Sequence, residues 1–417
     1  MALTAEIIGV GTELLLGNTV NTDARDISEG LSALGINVYF HTVVGDNPER
    51  LKSAVDIAKS RSDIIITTGG LGPTYDDLTK QTLAQCFGKP LIYNDEIAQG
   101  IRDYFASRGF SNMTENNMQQ AMLPEGCVIF RNGNGTAPGC GFEAGGKHVL
   151  MLPGPPSECK GMFDECAVPY LKRLTDDGEI FSHNIHIFGR GESDVEDQLR
   201  PMMKRLENPT LAPYAGNGEV KLRLTARAAT REEAETLMGP VLKELREELG
   251  DVVYGVDVNT LEETVIGLLK EAGKTLATAE SCTGGLISKR LTDISGASAA
   301  YMGGVIAYSN DAKRLFLNVD GDVLENEGAV SDPVARQMAA GARAKLGTDL
   351  ALGVTGIAGP GSDGTEKPVG LVYIALGTPE AMYCKELTLG NSRARNRLMS
   401  ANYALDMVRR YLTGLPV

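Results

Sequence analysis

The sequence predicts an α/β protein in three parts: a doubly wound N-terminal domain, a small α+β middle domain and a second α/β domain at the C-terminus. Two observations carry this. Short apolar runs of buried-strand type alternate with amphipathic helices over residues 1–172 and again over 258–417. Between them, over 173–257, strict polar/apolar alternation takes over, as in VKLRLTARA, where Val220, Leu222, Leu224 and Ala226 share one face. A chain of 417 residues and 44.4 kDa is long for one domain, which agrees with such a division.

The N-terminal elements follow in order. AEIIGV (5–10) reads as a buried strand, and residues 19–35 as a helix stopped by Gly35. A strand at 36–44 leads to Asn47-Pro48, an N-cap with proline at the first helical position, and a helix through Lys59. DIIIT (63–67) is a third, central strand closed by Gly69-Gly70. Strand–helix–strand with short connections implies a parallel sheet, whose ligands sit at the carboxyl ends of the strands. A helix at 157–173 ends the domain, and the polar residues 175–182 read as a linker.

The middle domain reads strand (185–188), helix (192–206), strands (209–214 and 219–229), helix (231–249) and a short strand (251–254). His183 and His186 lie on opposite faces of their strand, so a structural role is expected of them. The third part opens on a capping box, Thr260 to Glu263, with Leu261, Val265, Leu268 and Leu269 as the buried stripe behind it. Strands at 274–279, 303–307, 349–354, 369–376 and 382–389 alternate with helices at 284–292, 331–346 and 393–411.

Composition narrows the function. The chain carries 40 Lys+Arg against 54 Asp+Glu, a net charge of −14, so no general attraction to nucleic acid or an anionic membrane is expected. No run reaches the roughly 18 apolar residues of a membrane span, and Glu6 and Glu13 interrupt the N-terminal run, which lacks the basic start of a secretion signal. Seven scattered cysteines without a CxxC read as reduced thiols of a cytoplasmic protein. The four histidines end at His186.

TTGGLGPTYDDLT (67–79) is the most informative N-terminal segment. Gly69, Gly70 and Gly72, with Thr74 beyond them, let backbone amides approach a phosphate at the end of a strand. Asp76 and Asp77 flank that position. A lone GGxG is more often a plain turn with Asp capping the next helix. Glu13 and Asp46, however, follow strands that end at the same sheet edge, and acids gathered beside a glycine loop favour a metal–phosphate site. The spacing is neither GxGxxG nor a P-loop.

In the third domain, TAESCTGGLISKRL (278–291) runs from a strand into a helix, with Ser281 at the turn and Thr283, Gly284 and Gly285 after it. This is where a nucleophile beside an oxyanion hole would sit, although a plain N-cap serine fits equally well. Glu280 and Cys282 compete for the role, the latter expected to pack. With no histidine after residue 186, a Ser-His-Asp triad within the domain is excluded. A lysine of lowered pKa, helped by a tyrosine, is the alternative, and Tyr308 and Lys313 supply that pair. The glycine loop opening at Thr355 and Gly356 suits a small ligand, and Arg393 and Arg397, spaced i,i+4, suit a phosphate. Arg395, between them, reads as a solvated helix residue.

GTELLLG, VNTDA, VGDN, GGLGPTYDD and LPGPPSE resemble the N-terminal domain of the competence/damage-inducible CinA family, which has a molybdopterin-binding-like fold. The resemblance implies metal-dependent cleavage of ADP-ribose, with a divalent ion (Mg, Mn or Co) held by Glu13, Asp46, Asp76 and Asp77. It places Asn18, Asn21, Asp23 and the rim at Gly154 around the substrate. The middle part corresponds to a domain described as KH-like, but Gly189-Arg190-Gly191-Glu192 does not provide the GxxG loop of an RNA-binding KH domain, so a spacer or dimerisation module is expected. ESCTGG, AYSN, GAVS, TGIAGP and KPVG resemble the nicotinamide-nucleotide amidase of the PncC type. That implies deamidation of nicotinamide mononucleotide without a cofactor, Ser281 attacking and Tyr308 and Lys313 moving protons. Family members often read GDRxxxR where this chain has Gly390-Asn391-Ser392-Arg393, and a one-residue insertion brings Arg393 and Arg397 into place. A homodimer is expected from the same resemblance. Pterin handling by the first domain, or a regulatory protein without N-terminal activity, are the other readings.

Overall fold

The computed structural model describes residues 3–108, 115–175, 178–216, 218–362 and 364–417. Two compact units emerge: residues 1–181 with 226–235, and residues 182–225 with 236–417. The linker expected at 175–182 is in part a strand, since regular pairing begins at Glu179; residues 176–177 lie outside the described residues.

The first unit is built on strands β1 (Thr4–Val10), β2 (Asn37–Val44), β3 (Ile64–Thr68), β4 (Leu91–Tyr93), β5 (Met122–Pro124), β6 (Val128–Phe130), β7 (Gly139–Ala144) and β8 (Lys147–Leu152). Six of them form a sheet in the order β2-β1-β3-β8-β7-β6, and β4 pairs with β5. The expected parallel pairing holds for β2, β1, β3 and β8. β7 runs against them, because β7 and β8 are joined by a tight hairpin, and β6 pairs antiparallel with β7. Gly145 and Gly146 have φ of +59° and +72°, the paired positive values that such a two-residue turn requires.

Helices cover the sheet as the patterning requires. The first long one is Thr22–Ala33, starting three residues later than expected because Asn21 is its cap, with Gly35 at φ +72° ending it. Asn47 caps Pro48–Arg61 through the Arg50 amide. Ile7, Ile27, Leu31, Ile64, Ile66, Leu150 and Leu152 form the core on one face, and Ile8, Val55, Ile65, Leu83 and Val149 form it on the other. Glu6 is fully buried mid-strand, yet satisfied: Arg61 grips it with two hydrogen bonds of 2.8 and 2.7 Å, and Thr42 donates a third. The closing helix runs from Pro156 to Lys172 with one π turn at Phe163–Ala167.

The middle segment forms a four-stranded sheet, β10 (Thr210–Ala215), β11 (Val220–Ala228), β9 (Glu179–Ile187) and β12 (Val253–Val256) in that order. The alternating face of β11 is buried as expected. His183 meets Asp257 and His186 meets Tyr254, so both are structural.

The C-terminal sheet has the order β14 (Tyr301–Ile306), β13 (Leu276–Glu280), β15 (Leu350–Gly356), β16 (Leu371–Gly377), β17 (Met382–Thr388). The first three are parallel; β16 pairs antiparallel with β15, and β17 antiparallel with β16. Thr260 caps the opening helix through the Glu263 amide, while the Glu263 carboxylate reaches back to the Asn259 amide. Its buried stripe is Leu261, Val265, Ile266 and Leu269; Leu268 is only half-buried, and Ile266 takes the place expected of it. Helices Leu286–Thr292, Asn310–Leu317, Asp332–Leu346 and Arg393–Leu412 complete the layers. Among the described residues no helix is long and apolar enough to cross a membrane.

Candidate functional sites

In the C-terminal domain β13 delivers Ser281 to the carboxyl edge of the sheet, with its amide bonded to Val354 O. Gly284 (φ +57°) and Gly285 (φ +88°) turn the chain so that the helix starts at Leu286. The Gly284 amide closes this turn on the Ser281 carbonyl, so it is not one of the free donors expected at the oxyanion position. Glu280 is buried and accepts from the Ile287 and Ser288 amides and the Ser288 hydroxyl. That makes it the cap of the helix rather than a nucleophile. Cys282 is buried, and desolvation pushes its thiol up to about 12, which leaves it unreactive at neutral pH.

Lys313 meets Ser281. Its Nζ lies 3.1 Å from Ser281 Oγ, 3.0 Å from Ala307 O and 3.5 Å from Tyr308 O, and the residue is 1% exposed. Burial without a carboxylate partner lowers its pKa from the ordinary lysine value. A neutral amine has two N–H groups and one lone pair. Two carbonyls can take the N–H groups, which leaves the lone pair for the serine hydroxyl.

The other expected residues lie around this pair. Arg397 clasps Thr283 O with two hydrogen bonds, and Arg393 donates to Tyr308 Oη and to Gly359 O. Tyr308 is 62% exposed, and its hydroxyl faces Arg393, which puts it at the rim. Thr355 is buried at the end of β15 and donates to Ala329 O, next to Gly356. Asn396 was not foreseen: it is buried and pins the glycine loop through Ala358 O and Gly390 O. Only its place one turn after the Gly390–Ser392 segment could have suggested it.

In the N-terminal unit a cavity of about 560 Å³ is lined by Glu13, Asp46, Gly69, Gly70, Gly72, Thr74, Asp76, Asp77 and Gly154, as expected. Gln120, Thr136 and Glu158 also line it. Gly69 must be glycine, since it has φ +93° and a Cβ there would lie 2.2 Å from Val10 O. A Cβ on Gly72 would lie 2.5 Å from the Asp77 carboxylate. The Thr74 hydroxyl sits between the Asp76 and Asp77 carboxylates, and its amide donates to Asp77. Asp77 therefore caps this turn, and the helix beginning at Thr79 has no side-chain cap. Asp46 accepts from the amide and hydroxyl of Thr12. The Gly69 amide is already bonded to Leu152 O. Asn18, Asn21 and Asp23 do not line the cavity: Asn21 caps its helix, and Asp23 is buried with one carboxylate oxygen unpartnered. Lys80, also unforeseen, is buried against the Gln120 carbonyl, and desolvation brings it down to about 8.

Three family models match in sequence: a probable molybdopterin binding domain over residues 6–173, a damage-inducible protein CinA KH domain over 182–255, and the CinA C-terminal domain over 258–412. A CinA-like protein of Dictyoglomus turgidum is 50% identical over 410 residues, covering 98% of this chain and 99% of its own. The chain belongs to the CinA family. A CinA-like protein of Kosmotoga olearia is 47% identical over 411 residues, covering 99% of both chains. A crystal structure of a competence/damage-inducible protein from Agrobacterium tumefaciens is 42% identical; it covers 37% of this chain and 93% of its own, with a TM-score of 0.36.

Proposed function

We propose that this CinA-family chain is a bifunctional hydrolase of pyridine-nucleotide breakdown products. The C-terminal domain deamidates nicotinamide mononucleotide, and the N-terminal domain cleaves ADP-ribose to AMP and ribose 5-phosphate. The observation that carries the first activity is the buried Lys313 amine held 3.1 Å from Ser281 Oγ with its pKa lowered.

On this reading neutral Lys313 takes the Ser281 proton as Oγ attacks the carboxamide carbon. The ammonium so formed then protonates the departing nitrogen. Ammonia leaves and the nicotinoyl group of the mononucleotide remains as an ester on Ser281. Lys313 next deprotonates water, which cleaves the ester and restores the serine. Arg393 and Arg397 share a helix face and supply guanidinium donors for the substrate phosphate. Tyr308, hydrogen-bonded to Arg393, shapes the rim and can relay a proton to solvent.

Among the described residues no three acidic, histidine or cysteine side chains converge as a ready metal cage. The donor set of Asp76 and Asp77, with Glu13 and Asp46 across the cavity, suits a hard cation of Mg²⁺ type, which is held by one or two carboxylates together with substrate phosphates and water. Asp76 and Asp77 would hold it, and it would neutralise the pyrophosphate charge. Glycine-loop backbone and Thr74 would orient the phosphates. The alternative for this domain, pterin or nucleotide binding without cleavage, rests on its molybdopterin-binding type.

Product chromatography tests both. Nicotinate mononucleotide and ammonia formed from nicotinamide mononucleotide without metal, and AMP formed from ADP-ribose only with a divalent cation, would uphold the reading. An inert first reaction would refute the serine–lysine assignment, and an inert second would move the N-terminal domain to binding alone.

A further inference from the structure

Within the second unit, residues between 186 and 221 and the C-terminal helix line two adjoining cavities of about 790 and 540 Å³ that share Gly216, Glu219, Val220 and Leu398. Each has the size of a small-molecule pocket. Both lie away from the Ser281 side of the helix. Arg393 and Arg397 are 40° apart around the helix axis at about 100° per residue, and Arg395 is opposite them. Arg395, Leu398, Met399 and Asn402 form the face that lines the cavities.

Three chemistries meet there. Leu398, Met399 and Tyr403 give an apolar and aromatic wall, with Tyr403 fixed edge-on against Phe188. Glu219 and Asn402 give fixed polar groups: Tyr254 donates to one Glu219 oxygen at 2.6 Å, and Arg290 donates to Asn402 at 2.6 Å. Arg290 is in turn held by Glu262. Lys221 lines the smaller cavity and Arg395 the larger, while Arg190 and Arg290, also on the linings, are ion-paired with Asp194 and Glu262.

We propose that this groove binds a mononucleotide. The base packs on the Leu398–Tyr403 wall of the larger cavity, ribose hydroxyls donate to Glu219 where the two cavities meet, and the phosphate lies against Lys221 in the smaller one, with Arg395 adding positive charge on the larger side. An aromatic wall and a carboxylate beside the cations fit a nucleotide better than a simple anion, which would need only the cations. This site stands independently of amide hydrolysis at Ser281.

The test is photolabelling of the full chain with 8-azidoadenosine 5′-monophosphate, with labelled peptides mapped by mass spectrometry. Label is expected within 392–403 or 214–223, and excess AMP should displace it. K221Q/R395Q is expected to reduce that label at least tenfold, leaving label on the N-terminal glycine loop and the melting temperature unchanged. L398W, which fills the groove and keeps its charges, is expected to remove the same label. Absence of label from these peptides would overturn the proposal. So would labelling that both variants retain, or labelling that pyrophosphate displaces as well as AMP does.

Discussion

Replacing Lys313 by methionine isolates its proposed role as a base. Methionine nearly matches the lysine stem, so no large cavity opens, whereas alanine would add the several kcal/mol of an unfilled core site. The change leaves the buried Ala307 O without its Nζ partner, at about 1–3 kcal/mol, and removes a longer, part-buried bond to Tyr308 O. It also removes the cost of burying an amine whose pKa is already depressed, which acts in the opposite direction. The two act in opposite directions, and calorimetry reads their difference. Turnover should not be spared. Loss of a positioned base lowers rates by roughly 10²–10⁴, which is about 3–5.5 kcal/mol at 1.36 kcal/mol per decade. The assay is ammonia release from nicotinamide mononucleotide, paired with calorimetry. In the wild type, kcat/KM should rise with pH through the Lys313 pKa, with a midpoint below the ordinary lysine range, because only the neutral amine accepts a proton. A folded K313M retaining more than a tenth of wild-type kcat/KM would refute the assignment.

Other outcomes follow from the same geometry. S281A should abolish ammonia release while C282A retains it, since Cys282 is buried with its thiol pushed up to about 12; the reverse result would move the nucleophile by one residue. D77N should lower metal-dependent ADP-ribose cleavage by more than the roughly 10–100-fold typical of an outer-shell change, with ammonia release unaltered. Burial and Asp26 raise Asp23 from 3.8 to about 6, so the folded state binds the extra proton between those values and the wild type loses stability as pH climbs through them. D23N should therefore stabilise the protein above pH 6 and give no benefit near pH 4, as read by thermal melts. G69A forces a Cβ to 2.2 Å from Val10 O at φ +93° and should cost about 2–4 kcal/mol in denaturant unfolding.

Much of this molecule was legible because its signals are local. Asn47-Pro48 and Thr260 marked helix starts that the structure keeps. The lack of histidine beyond residue 186 turned attention to lysine, and Lys313 does lie on Ser281. What escaped depends on which way a side chain turns, which residue type alone does not show. Glu280 looked like a rival nucleophile because nothing local shows that its carboxylate caps the helix seven residues on. Asn21 and Asp23 looked like ligand contacts, yet they serve a cap and a buried helix face. The antiparallel edge of the first sheet is readable in principle from Gly145-Gly146, a two-residue hairpin signal that is weaker than the strand–helix alternation around it.

The two arginines of the C-terminal helix have a consequence for recognition. A guanidinium has five N–H donors, and Arg393 and Arg397 each commit two of theirs to protein oxygens. Three remain on each, on groups whose direction is already fixed. An arriving phosphate therefore need not immobilise two long, freely rotating side chains, an ordering cost of about 0.5–1.5 kcal/mol apiece in an unrestrained site. On the proposed function, selectivity for a phosphorylated substrate over its nucleoside can then come from rigidity as much as from charge.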